Sequence, residues 1–233
     1  EAMFQEMRGR IKEDDSSVPS PYGPWEYYTR FETGAQHPFY CRRPKGQTDG
    51  EQVLLDANAL AEGKDYSSVG GTSPSPDHRY FVYAEDDQGS EVYKIYVKDL
   101  TTGQLIGDPI GDATGDFSIA PDSQWLFWIN RDDNGRPDKI FRRPITGGDR
   151  ALVYEETDDG MFMGIGRTSD DAFIIVGIQN QETGEARYIP GNDPTATPTL
   201  AEARVEGTLY DLDHWSDRWI IRTNADGAVD FKI

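Results

Sequence analysis

The chain has 233 residues, 36% of them hydrophobic, which is enough for one large domain or two small ones with a core. Its formal net charge of −19 argues against sequence-independent binding to nucleic acid or an anionic membrane, since both need clustered Lys and Arg. A cationic ligand is the partner such a field favours.

Apolar residues come in short bursts, and none approaches the ~18–20 residues needed to cross a bilayer. No basic segment followed by an apolar one opens the chain, so no signal peptide is read, and the start at Glu1 suggests an excised piece. The single cysteine, Cys41, leaves no internal disulfide and no multi-thiolate zinc cage, and it reads as a small apolar strand residue. A cytoplasmic location fits that reading.

Met3, Met7 and Ile11 recur at helical spacing with Phe4 beside them, which predicts one amphipathic helix within residues 1–13. The Pro- and Gly-rich stretch 16–24 cannot continue it and reads as an extended linker, so residues 1–24 form a helix and linker ahead of a domain over 25–233. From there an internal repeat sets the architecture. Aromatic residues that open strand-like bursts stand at Trp25, Tyr80, Trp125, Phe173 and Trp219, spaced by 55, 45, 48 and 46 residues. A period of roughly 40–50 residues with several short strands per unit is what four-stranded propeller blades give.

Each burst is followed by a glycine, at Gly34, Gly89, Gly135, Gly184 and Gly227, where a hairpin turn is expected. Second strands are expected at 38–43, 92–99, 139–143, 187–190 and 228–232, and third strands at 52–55, 104–106 and 151–154. Ser75-Pro76-Asp77, Ala120-Pro121-Asp122 and Thr168-Ser169-Asp170 precede three of the bursts, and Trp215-Ser216-Asp217 precedes a fourth, slipped by one residue. Their recurrence makes these aspartates turn caps rather than catalytic acids. The fold class is therefore all-β, a partial β-propeller of about four to five blades preceded by one short N-terminal helix, with a fifth unit left unfinished at Ile233.

Catalytic chemistry is missing. There is no Gly-x-Ser-x-Gly, and the histidines, His37, His78 and His214, sit beside turns or strand starts. No His-Glu-x-x-His and no phosphate loop occurs, so no metal, cofactor or catalytic residue is assigned. Asp132-Asp133-Asn134-Gly135 lacks the calcium-loop spacing and is read as a hairpin turn.

The run Glu6-Met7-Arg8-Gly9-Arg10-Ile11-Lys12-Glu13-Asp14-Asp15 through Val18-Pro19 resembles the end of the N-terminal helical segment of the oligopeptidase B (protease II) group, in the prolyl oligopeptidase family of serine peptidases. Similar stretches are Trp25–Arg30, Pro38–Arg43, Leu54–Asn58, Gly70-Gly71, Val97–Gly103 and Leu209–His214. The resemblance implies a propeller, seven-bladed in that family, that gates access to a C-terminal α/β-hydrolase domain bearing Ser, Asp and His. It also implies cleavage of short peptides after Arg or Lys, with short basic peptides and the hydrolase domain as partners. No position of the triad is matched here, so the chain alone is expected to be inactive. Asp65, Glu85, Asp86 and Asp116 are candidates to steer basic substrates or latch the two domains. An open propeller side is expected to favour self-association. The competing reading is a non-enzymatic propeller scaffold, and a paralogue that has lost its serine is a third.

Overall fold

A computed structural model describes residues 1–233. It is built of strands with two short helices, and it divides into two compact units, 1–67 and 68–233.

The first unit opens with α1 (Ala2–Arg8), which is shorter than its apolar stripe. The helix stops at Gly9, leaving Ile11 outside and Met3, Phe4 and Met7 exposed. One four-stranded antiparallel sheet follows: β1 (Ser20–Tyr22), β2 (Trp25–Arg30), β3 (Phe39–Pro44) and β4 (Gln52–Asp56). The linker expectation for 16–24 is corrected here, because Ser20–Tyr22 pairs with 25–27 and Ser16 bridges Arg30. An edge strand tolerates Pro21, whose missing N–H is not needed on the outer side. A second helix that the sequence reading missed, α2 (Ala57–Ala61), starts where the Asp56 carboxylate accepts the N–H groups of Asn58 and Ala59. Cys41 is 1% exposed, and burial followed by the charge of Glu51 pushes its thiol up to about 11, which makes it a packing residue.

The second unit holds β5 (Ser68–Pro74), β6 (Tyr80–Asp86), β7 (Tyr93–Asp99), β8 (Leu105–Ile119), β9 (Trp125–Arg131), β10 (Pro137–Pro144) and β11 (Ala151–Glu155) in one seven-stranded sheet. Strand β8 joins two repeats. Its first half pairs with β7 as the fourth strand of the second repeat, and its second half pairs with β9 as the first strand of the third. Positive φ at Gly107, Asp112 and Gly115 lets one strand of 15 residues bend between the two roles. The fourth repeat is a separate sheet, β12 (Phe162–Arg167), β13 (Phe173–Gln179), β14 (Gly184–Pro190) and β15 (Thr199–Glu202). The fifth is a pair, β16 (Tyr210–Trp215) and β17 (Arg218–Thr223).

The anchor aromatics therefore mark the second strand of each repeat, not the first. The first strands escaped the sequence reading because they show no continuous apolar burst: Ser68–Pro74 is made of small residues, and Phe162–Arg167 and Tyr210–Trp215 interrupt their large residues with glycine or aspartate. Two further corrections concern turns. Gly184 lies inside β14 without positive φ, and the fourth hairpin is instead capped by Asn180, whose side-chain oxygen accepts the N–H groups of Glu182 and Thr183. The strand expected at 228–232 is absent. After Asp226 and Gly227, both at positive φ, the chain returns only to a single bridge between Thr223 and Lys232.

The core of the second unit lies between its repeats. Neighbouring residues of β9 face opposite ways, as the two-residue period of a strand requires. Trp128 packs into the cluster of Val82, Ile95, Val97 and Ile119, whereas Phe127 packs against Ile174 and Ile189 of the fourth repeat. The third repeat thus buries both faces, one against the second repeat and one against the fourth, the stacking that makes a propeller of blades that could not bury a core alone.

Candidate functional site

Two kinds of functional feature stand out in the second unit, the joints between repeats and the hairpin end of the innermost strands. The joints begin with the recurrent turns. Asp77, Asp122 and Asp170 each accept the N–H two residues on, from Arg79, Gln124 and Ala172. The residue after each, His78, Ser123 and Asp171, takes positive φ near 60°, and so does Ser216 in the last turn. These aspartates are turn caps, and the turns also clasp one another. The N–H of Asp77 donates to Ser123 Oγ at 3.0 Å, and Ser169 donates both its N–H and its hydroxyl to Asp213, at 2.8 and 2.5 Å.

At the joint of the fourth and fifth repeats, His214 Nδ1 lies 2.7 Å from Asp170 Oδ2. The imidazole packs edge-on against both Phe173 and Trp219, with ring centroids 4.9 and 5.0 Å away. Serine, histidine and aspartate do meet here, but the Ser169 hydroxyl is spent on Asp213, and His214 is held by Asp170. A hydrolase centre needs the serine bonded to the histidine, so this constellation is a clasp. Burial raises the Asp170 carboxyl, but its hydrogen bonds to His214, Thr168 and the Ala172 N–H outweigh that and hold it below the usual carboxylate range.

Between the third and fourth repeats, Arg142 donates to three consecutive carbonyls, of Pro194, Thr195 and Ala196. Arg204 contacts Glu156 and stands 3.0 Å from Glu185, which also pairs with Arg187 at 2.8 Å. Sequence reasoning did not mark Arg142 or Arg204 and read His214 only as a residue beside a turn, because Ala196, Glu156 and Asp170, the partners they grip, lie 54, 48 and 44 residues away. The one available signal was the 46-residue recurrence that joins Asp77 to Ser123.

The first strands of successive repeats touch, β5 with β8 and β8 with β12, so they are the innermost strands. Between β5 and β8 the contact is made by glycines. A Cβ on Gly71 would stand 2.9 Å from the carbonyl oxygen of Gly115, and one on Gly70 would stand 2.5 Å from the Tyr93 ring. Both strands are bulged at this place, between Val69 and Thr72 and between Ala113 and Phe117.

The structure places three of the four candidate acids around that meeting point. Glu85 lies across from Val69 and is 2% exposed. Asp86, equally buried, spends its carboxylate on the N–H groups of Gln88, Gly89 and Glu91 in the β6–β7 hairpin. Burial raises its carboxyl, and those backbone donors more than offset the effect and leave it below the usual range. Asp116, next to Gly115, is exposed and lines a cleft of about 360 Å³ with Thr114, Arg131, Arg136 and Phe162. The Phe162 ring is 55% exposed and lies 4.9 Å below the Arg136 guanidinium, so this rim already holds one cation against an aromatic face. Asp65 belongs to the first compact unit, on an exposed bend after α2. No helix is long and apolar enough to cross a membrane.

Against known proteins, residues 1–233 match the family model of the prolyl oligopeptidase N-terminal β-propeller domain. The chain is 40% identical over 249 aligned positions to dipeptidyl aminopeptidase BI of Pseudoxanthomonas mexicana, and 32% identical over 243 to protease 2 of Moraxella lacunata. These alignments cover 99% and 100% of this chain but 34% and 35% of the relatives, so the chain spans about a third of their length. Oligopeptidase B from Leishmania major superposes with a TM-score of 0.93 at 30% identity, over 99% of this chain and 34% of that one. With the repeats, their stacking and these matches covering the same residues, the chain belongs to the prolyl oligopeptidase family and corresponds to its N-terminal propeller domain.

Proposed function

We propose that this chain is the substrate-gating portion of a serine oligopeptidase that hydrolyses short peptides after Arg or Lys, and that residues 25–233 form its propeller domain. The single observation carrying the reading is the end-to-end match to the propeller domain, joined to relatives that are peptidases by name. An inactive isolated chain, whose catalytic partner is an α/β-hydrolase domain of the same protein, belongs to this reading, since the sequence holds no Gly-x-Ser-x-Gly turn. The gate works by exclusion, since a ring of stacked blades admits only what fits through or past it. A cytoplasmic location belongs to the same reading, supported by the single buried thiol.

Acids at the hairpin end would attract basic peptides to the gate. Asp116 is the exposed member of the set and the one able to meet substrate, with Asp65 as a second exposed acid. Glu85 and Asp86 would act through the shape of the hairpin and the local field. The two-stranded fifth repeat leaves Trp215, Ile220 and Ile221 exposed, which supports self-association of the isolated chain through that side.

A second reading is favoured by the name of the 40% identical relative, that the whole enzyme removes dipeptides from free N-termini. The full-length product assayed on Arg-containing reporters with free and with blocked N-termini separates the two, with a serine-directed phosphonate as control. Phosphonate-sensitive cleavage of the blocked reporter supports the oligopeptidase. Cleavage restricted to the free one supports the aminopeptidase, and no cleavage of either supports a scaffold.

A further inference from the structure

The joint between the second and third repeats contains two guanidinium groups that the gating function does not use. Arg143, at the end of β10, is 7% exposed. One of its terminal nitrogens donates to the carbonyl of Asp108 at 2.6 Å, while its Nε is buried with no hydrogen-bond partner. In a chain with 42 acids against 23 bases, neither Arg143 nor Arg150 has a carboxylate at ion-pair distance. Burial lowers the proton affinity of Arg143, and the charge of Asp108 offsets this only in part, so the site is short of negative charge.

Both arginines line a cleft of about 270 Å³ with Trp128, Gly111 and Gly148. The Arg150 guanidinium lies 4.4 Å over the Phe141 ring, and that ring is stacked on Trp128 at 5.9 Å. Stacking uses the flat face of a guanidinium and leaves its in-plane N–H donors free, the arrangement that receives two oxygens of one anion side by side. Space is provided by glycine. Gly107 and Gly147, both at positive φ, meet so closely that a Cβ on either would stand 3.2 Å from the other's Cα, which brings the outer strand of one repeat against the turn of the next. Asp112 and Asp149 also line the cleft, and they disfavour a polyanion while leaving room for one small group.

We propose that this cleft binds a small oxyanion, a free phosphate or the terminal carboxylate of a short peptide, between Arg143 and Arg150, and that the bound anion ties the second and third repeats together. The Arg143 side chain in the wall of the cleft gains the counterion it lacks, and Arg150 closes over the anion from the exposed side. The volume admits one such group and excludes a folded partner.

Calorimetric titration of the 233-residue chain at matched ionic strength tests this, with inorganic phosphate in one arm and glycylglycine against its C-terminal amide in the other. Saturable binding of phosphate, or of the dipeptide but not its amide, is expected, with a rise in thermal midpoint and about tenfold weaker binding in Arg150→Ala. Arg150 is exposed, so this variant folds even if Arg143→Met does not. The arm that responds identifies the source of the oxyanion. The proposal is overturned if neither ligand binds saturably beyond a chloride control, or if Arg150→Ala binds as tightly as the parent.

Discussion

Asp170 and His214 meet at 2.7 Å across the joint of the fourth and fifth repeats, and the same carboxylate accepts the N–H of Ser216 at 3.1 Å. One side chain therefore closes a turn in its own repeat and grips the hairpin of the next. Its carboxyl is held below its ordinary 3.8, so the stability it contributes is fully present above that value and is lost as the pH falls through the lower, folded value. Asp86 and Asp213 are shifted the same way and add to this acid limb. The urea midpoint is expected to hold from about pH 7 to about pH 5 and to fall below about pH 4. Asp170→Asn should lower the midpoint at neutral pH and flatten part of the acid limb. An acid limb identical to that of the parent would show that the clasp contributes nothing.

Gly70 leaves no room for a side chain, since its Cβ would stand 2.5 Å from the Tyr93 ring. Gly70→Ala is expected to destabilise the chain by about 1–3 kcal/mol in urea unfolding. In a Tyr93→Leu background the same change should cost much less, because the clash has gone. Equal costs in both backgrounds would locate the strain elsewhere.

Trp128 is 1% exposed, and its indole N–H donates to Asn130 at 2.9 Å. Trp128→Ala opens a cavity between the second and third repeats and leaves the Asn130 oxygen without its donor. Unfolding should show a loss of about 3–5 kcal/mol. Trp128→Phe keeps most of the volume and should lose less.

Arg204 neutralises two carboxylates, Glu156 and Glu185, whose side chains are only 5% and 8% exposed. Arg204→Met leaves Glu156 without its cation and Glu185 with Arg187 alone, and is expected to cost about 3 kcal/mol. The double variant Arg204→Met with Glu156→Gln should cost less than the sum of the single changes, which equilibrium unfolding of the four proteins measures directly. Strict additivity would mean that the pair is not coupled.

The five repeats were legible because their signals are local. Aromatic bursts, the Asn134-Gly135 turn and the Asp caps each involve residues within a few positions of one another, and the structure places the second strand of every repeat where those signals put it. The first strands were not legible. Ser68–Pro74 meets the neighbouring first strand through Gly71 rather than a large side chain, and Phe162–Arg167 breaks its apolar residues with Gly164 and Gly166, so neither carries a continuous burst. Among the candidate acids, sequence could mark Glu85, Asp86 and Asp116 as charged, but not that two are buried and one exposed, because burial is set by strands from other parts of the chain.

Turn chemistry and strand period, which depend on backbone preferences of adjacent residues, were written in the order of amino acids alone and sufficed for the architecture, while the family rested on the resemblance of particular stretches such as Trp25–Arg30. Which arginine grips which carbonyl, which carboxylate is already spent and where two guanidinium groups are left without a counterion depended on contacts between repeats. Those contacts join residues such as Arg143 and Asp108, 35 positions apart, which come together only when the sheets stack.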